Sequence, residues 1–143
     1  MQDLIPTLTC IHGAATWFMV GLIWFVQVVH YPLMGAVGAD GYGTYQTAHM
    51  KLTSMVVVPI MCLELAAAVS LIFLFEQGPE LILALRGFGL LVLIWLVTFL
   101  VIVPIHQTLL ERFDADAHRR LVRANWIRTL GWTVRGVVAI GLF

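Results

Sequence analysis

The sequence predicts an all-α integral membrane bundle of four helices running up-down-up-down, and three observations carry that prediction. Of the 143 residues, 61% are hydrophobic and only 11% are charged. Mean hydropathy is +0.95, which leaves too little polar surface for a water-soluble domain of this length. Four apolar segments, about 8–30, 52–75, 81–106 and 122–143, each reach the roughly 20 residues that cross a ~30 Å hydrocarbon core. They form one four-span domain over 1–143, with neighbours set antiparallel by short connections. The expected surroundings are a lipid bilayer, with no nucleic-acid partner for a chain of 8 basic and 8 acidic residues.

Each element has its own justification. The opening MQDLIPTLTC lacks the basic stretch of a signal peptide, and the apolar run after it is too long for one. Segment 1 ends in WFVQVVHYPL, where Pro32 is expected to stop the helix just after Gln27 and His30. At ~100° per residue, His12 and His30 point the same way, with Thr16 and Gln27 near that line. Lipid cannot satisfy such a stripe, so it faces the bundle interior. The glycines of GAVGADGYGTYQ follow no strand and precede no GK[ST]. They read as a loop with a short interfacial helix, not a phosphate loop.

In segment 2, Thr53 and Glu64 share a face with His49 beside them, and Pro59 is a candidate kink. Segment 3 aligns Trp95 with His106. In FDADAHRRL, Asp114 reads as an N-cap, and His118 with the arginines as a solvated amphipathic turn. Segment 4, NWIRTLGWTVRG, gathers Asn125, Arg128, Thr129 and Trp132 on one face with Arg135 close by. Cys10 and Cys62 lie in different segments without metal spacing and read as packing residues. Gly13, Gly21, Gly87 and Gly131 are the small residues that let helices approach.

Charge sets the expected orientation. Lys51, Arg112, Arg119, Arg120 and Arg123 flank the links after segments 1 and 3, whereas the link after segment 2 has only Arg86. The positive-inside rule then places two long loops in the cytoplasm and both termini outside the cell membrane. This gathers His30, His49, His106 and His118 at the cytoplasmic leaflet.

Two chemistries suit these residues. His30, His49 and His106 could ligate a metal, and imidazole suits iron, copper, zinc or haem. Alternatively, each histidine caps a helix end at headgroup level. The catalytic candidates are His30 and His106 as proton carriers, with Asn125 and Arg128 polarising an oxyanion. Gln27, Trp126 and Trp132 are the candidate pocket lining. Glu64 and Arg135 lie at similar depth and are expected to form a buried ion pair, since either charge alone is costly in hydrocarbon.

The stretch PIHQTLLERFDADAHRRLVRANWIRTLGW resembles small four-span membrane proteins of the anthrone-oxygenase-like family. The resemblance rests on Pro104, His106 and Leu109 at the end of segment 3 and on the Asn-x-x-Arg of Asn125 and Arg128. It covers mainly the C-terminal third. The family usually has asparagine where this chain has His106, and the VHYP of segment 1 is more distinctive than the family leads one to expect. The resemblance implies an oxygenase or oxidase acting on a hydrophobic aromatic compound. The expected function is thus a small membrane oxidoreductase binding a hydrophobic small molecule in a His-lined pocket. The alternative is a non-enzymatic scaffold or accessory subunit whose polar residues only join the helices, and a homo-oligomer is compatible with both.

Overall fold

Four helices account for nearly all of the described residues. The computed structural model describes residues 4–143, and among them no strand occurs. Helix α1 runs Leu4–Met34, α2 Ala39–Leu74, α3 Pro79–Glu111 and α4 Ala115–Ile140. α1 packs against α2 and α4, and α3 packs against the same two, giving a four-sided bundle. α1, α2 and α3 are long and apolar enough to cross a membrane. α4 carries Arg119, Arg120, Arg123, Arg128 and Arg135 and does not reach that apolarity.

The surface is inverted relative to a water-soluble bundle. Phe18, Leu33, Leu52, Phe73, Leu100 and Val137 are exposed, while Gln27, Gln46, Glu64, Asn125, Arg128 and Arg135 are buried. Such a surface matches a bilayer, where outward apolar groups lose nothing and polar groups must find partners inside. Cys10 and Cys62 are free and exposed on this apolar surface rather than packed inside.

Pro32 does not stop α1. The turn Val26–His30 is π-helical, with the Tyr31 amide donating to the Val26 carbonyl, and the helix continues to Met34. α3 repeats the device: Thr98–Ile102 is π-helical, Val103 N–H donates to the Thr98 carbonyl, and Pro104 follows. A helical proline ring collides with the carbonyl four residues earlier. Here those carbonyls belong to Val28 and Leu100, both within the widened π turns. A π turn also shifts the facing of everything beyond it, and such turns recur at functional sites.

The glycine-rich stretch is helix, not loop with a separate interfacial helix. α2 starts at Ala39 and continues unbroken for 36 residues, passing through Pro59. Tyr42, Gln46 and His49, spaced four and three apart, form its buried face there. That burial outweighs the weak propensity of Gly41 and Gly43. Gly38, at φ 84°, makes the sharp entry that a side chain would strain. The links are therefore brief, 35–38, 75–78 and 112–114, in place of two long loops. Of the four candidate packing glycines, Gly13, Gly87 and Gly131 stand against Phe143, Arg135 and Ile94, whereas Gly21 faces open space.

Polar side chains inside the bundle fall into two layers. Between them lies an apolar layer of Met19, Ile23, Met61 and Ile94 packed with Trp132.

Candidate functional site

The first polar layer forms where the two π turns meet α2 and α4. His30 closes the π turn of α1, His49 lies on α2 and His106 just past Pro104 on α3. The structure brings the three together. His30 Nε2 and His49 Nδ1 are 2.8 Å apart, and the His49 and His106 ring centroids are 5.2 Å apart. Gln46 Nε2 donates to His106 Nδ1 at 2.9 Å and to the His106 carbonyl at 3.1 Å. That double donation leaves Nδ1 as the acceptor, so the ring proton of His106 sits on Nε2, facing the Tyr31 hydroxyl at 3.1 Å. The Thr53 hydroxyl lies 3.1 Å from His49 Nδ1, and Tyr45 stacks on His30 and His49.

These three histidines are not arranged as metal ligands. His30 and His49 stack 26° from parallel at 4.6 Å, so their nitrogens face one another rather than a common point. Both His106 nitrogens are already engaged. Among the described residues, no group of three His, Cys, Asp or Glu is placed to hold a metal ion.

Arg128 is buried beside this cluster. Its Nη1 donates to Asn125 Oδ1 at 3.0 Å, and its guanidinium lies 5.3 Å from the Trp132 ring centroid. Asn125 Nδ2 in turn donates to Gln27 Oε1 at 2.9 Å, and Gln27 Nε2 to the Val122 carbonyl at 3.2 Å. Gln27 thus faces α4 while His30 faces α2, and Gln27 and Asn125 fix the position of Arg128. Arg128 Nε has no partner among the described residues.

A cavity of about 330 Å³ opens against these groups. Its polar end is made by Tyr31, His49, Thr53, His106 and Arg128, and its body by apolar residues including Met19, Ile23, Val57, Met61, Trp95 and Phe99. The volume falls at the lower end of the range for small-molecule sites. Of the four candidate catalytic residues, His106 and Arg128 line it, while Asn125 stands behind Arg128 and His30 behind the lining His49.

The three candidate pocket residues lie elsewhere. Trp126 is on the outer surface, edge-on to Trp24 at 5.6 Å, because its helical position turns it toward lipid. Trp132 is fully buried in the apolar layer. Gln27 is engaged with α4. Nor is His118 a solvated residue: its ring N–H donates to the Tyr31 carbonyl at 2.8 Å, with Gly35 close against it, so it ties α4 to the end of α1.

The second polar layer contains Glu64 and Arg135, whose Nε and Oε1 are 2.7 Å apart and which are at most 1% exposed. Thr16 donates to Glu64 Oε1 at 2.8 Å and Trp132 Nε1 to Oε2 at 3.2 Å. Arg135 also reaches the Gly87 carbonyl and lies 2.9 Å from His12 Nε2. Neither Glu64 nor Arg135 touches the cavity.

Sequence reading passed over Tyr31, Gln46 and Tyr45. Their signal lies in VHYP and in TYQTAH, whose tyrosine, glutamine and histidine share a face only on a helix. Compared with known proteins, the chain matches no family model, no curated protein and no solved structure.

Proposed function

We propose that this protein is a small membrane oxidoreductase that takes a lipophilic, phenol-like or enol-like molecule into the cavity between its helices. The observation that carries the reading is the cavity itself, apolar along its body and closed at one end by His49, His106, Tyr31 and Arg128. A scaffold whose polar residues only joined helices would fill that space with side chains. In the proposal α4 is a fourth span, so the helices run up-down-up-down with the cavity toward the cytoplasmic leaflet and both termini outside. The outward face of α4 supports this: Ile127, Leu130, Val134 and Val137 are exposed while its arginines at 128 and 135 are buried.

The chemistry follows from the tautomers. With the shared proton on His49 Nδ1, directed at His30, His49 Nε2 is a free base at the cavity wall. It accepts a proton from an enolisable C–H as Nδ1 passes its own proton to His30. The oxygen of the resulting enolate rests against the Tyr31 hydroxyl, whose proton is free because His106 Nε2–H donates to its oxygen, and against Arg128. An electron-rich enolate is open to dioxygen. One O2 converts an activated CH2 to C=O and releases one water, which matches the activity implied by the resemblance to anthrone oxygenases. The histidines act as acid and base, with no metal in the scheme.

The test is oxygen uptake and quinone absorbance with anthrone as probe, using the protein in lipid nanodiscs. The expected result is a rate above empty discs that falls about 100-fold or more in His49→Ala and is unchanged by chelators. Equal rates for wild type, His49→Ala and empty discs would overturn the oxidoreductase reading.

A further inference from the structure

The bundle interior holds an unbalanced charge. Of its two deeply buried arginines, Arg135 is matched by Glu64 at 2.7 Å. Arg128, only 6% exposed, has no carboxylate within ion-pair distance among the described residues. A guanidinium does not give up its proton in a protein, so it cannot neutralise itself as a buried lysine would. Its protein contacts are an amide oxygen, the Tyr31 hydroxyl and an indole face, none of which carries a net charge. A lone cation in such surroundings is strongly disfavoured, and natural membrane proteins pair it or use it.

The hydrogen-bond inventory points the same way. Two buried groups at the cavity wall have no partner among the described residues, Arg128 Nε and Trp95 Nε1, and both are donors. The Tyr31 hydroxyl proton is a third donor at the same wall. Apart from the basic His49 Nε2, the wall therefore presents donors, and it is short of negative charge.

We propose that the ligand of this cavity is a lipophilic anion, one ionised oxygen acid on an apolar body, whose head supplies the missing counter-charge to Arg128. This rests on the reading of the cavity as a small-molecule site and names the class of molecule it takes. A phenolate, an enolate or a carboxylate fits the requirement as it stands, a neutral ketone meets it only once it has lost a proton to His49, and a neutral alcohol of the same shape does not meet it. Asn125 and Gln27 are then positioning residues that aim the guanidinium at the head group.

Two probes of matched shape test it, anthracene-9-carboxylate and 9-anthracenemethanol. Each is titrated into protein in phosphatidylcholine nanodiscs and read by energy transfer from tryptophan, with empty discs as the partition control. Wild type is expected to bind the carboxylate about tenfold or more tightly than the alcohol. The carboxylate alone should raise the melting temperature. Arg128→Gln should bind both probes alike and, freed of its unpaired charge, melt at or above the wild-type temperature. If that variant fails to fold, Arg128→Lys, which keeps the charge and loses the planar fork, should retain a reduced preference. Equal binding of the two probes by wild type, or a preference that survives in Arg128→Gln, overturns the anion while leaving the cavity as a lipophile site. If neither probe binds beyond the empty discs, the cavity reading fails and the anion with it.

Discussion

At the scale of single residues, the molecule treats its two buried arginines oppositely. Arg135 is locked to Glu64, whose carboxylate also accepts from Thr16 and Trp132, leaving Arg135 no freedom to meet a ligand. Glu64→Gln would therefore strand a buried guanidinium, at a cost of about 3–5 kcal/mol. Glu64→Gln/Arg135→Gln should recover most of that loss, and thermal unfolding of the two variants in detergent measures the difference. A double variant no better than the single one would mean that the charges do not stabilise each other. The contact was legible in the sequence, because Glu64 and Arg135 were the costly charges at matching depth. The singular state of Arg128 was not legible, since it depends on which side chains fail to arrive beside it.

At the scale of elements, the ends and interruptions of helices do most to place the site. Asp114 starts α4 by accepting the Asp116 and Ala117 amides at 2.8 and 2.9 Å. The bond from Ala117 is the largest influence; against an opposing desolvation, and with help from the Asp116 bond and the nearby Arg120 and Arg112, it holds the carboxyl below the ordinary 3.8. A lowered folded-state value means that the cap contributes fully above about pH 4 and loses its contribution as the carboxyl protonates below that. The stability margin of wild type over Asp114→Ala should therefore be steady from pH 7 down to about 4 and shrink under more acid conditions. Denaturation series at several pH values check this, and a margin that widened on acidification would contradict the cap. Asp114 was readable from the local sequence because a capping residue acts on its own neighbours. The two π turns were not, because Pro32 and Pro104 look like helix stops until neighbouring helices hold the chain in line. The start of α2 was hidden for a related reason: its glycines weaken local propensity, while Tyr42, Gln46 and His49 recover the loss only by packing.

At the scale of the whole molecule, α4 decides how many times the chain crosses the membrane. It is too rich in arginine to register as a span by composition, yet it turns apolar side chains outward and polar ones inward. Single cysteines at positions 112 and 143, in a chain with Cys10 and Cys62 replaced by serine, distinguish the arrangements. Four spans predict labelling of position 143 by a membrane-impermeant maleimide in intact cells and of position 112 only after permeabilisation. Labelling of both from one side would reduce the chain to three spans. The membrane character of the fold was plain from the apolar segments, and the drawing together of His30, His49 and His106 was foreshadowed by their shared level. The cavity was not foreshadowed, since a void is a property of how four faces fit and has no residues of its own.

The apolar layer of Met19, Ile23, Met61 and Ile94 has one more consequence. Both polar layers contain groups able to hand protons along, His12 and Glu64 in one, the histidine cluster in the other. Joined end to end they would make a proton wire, and a cell that stores energy as a gradient would leak through every copy. Trp132 is the bridge across the gap, bonded to Glu64 on one side and lying under Arg128 on the other. An indole N–H donates but does not relay. On the proposed function, that break lets acid–base chemistry run inside an energised membrane without discharging it.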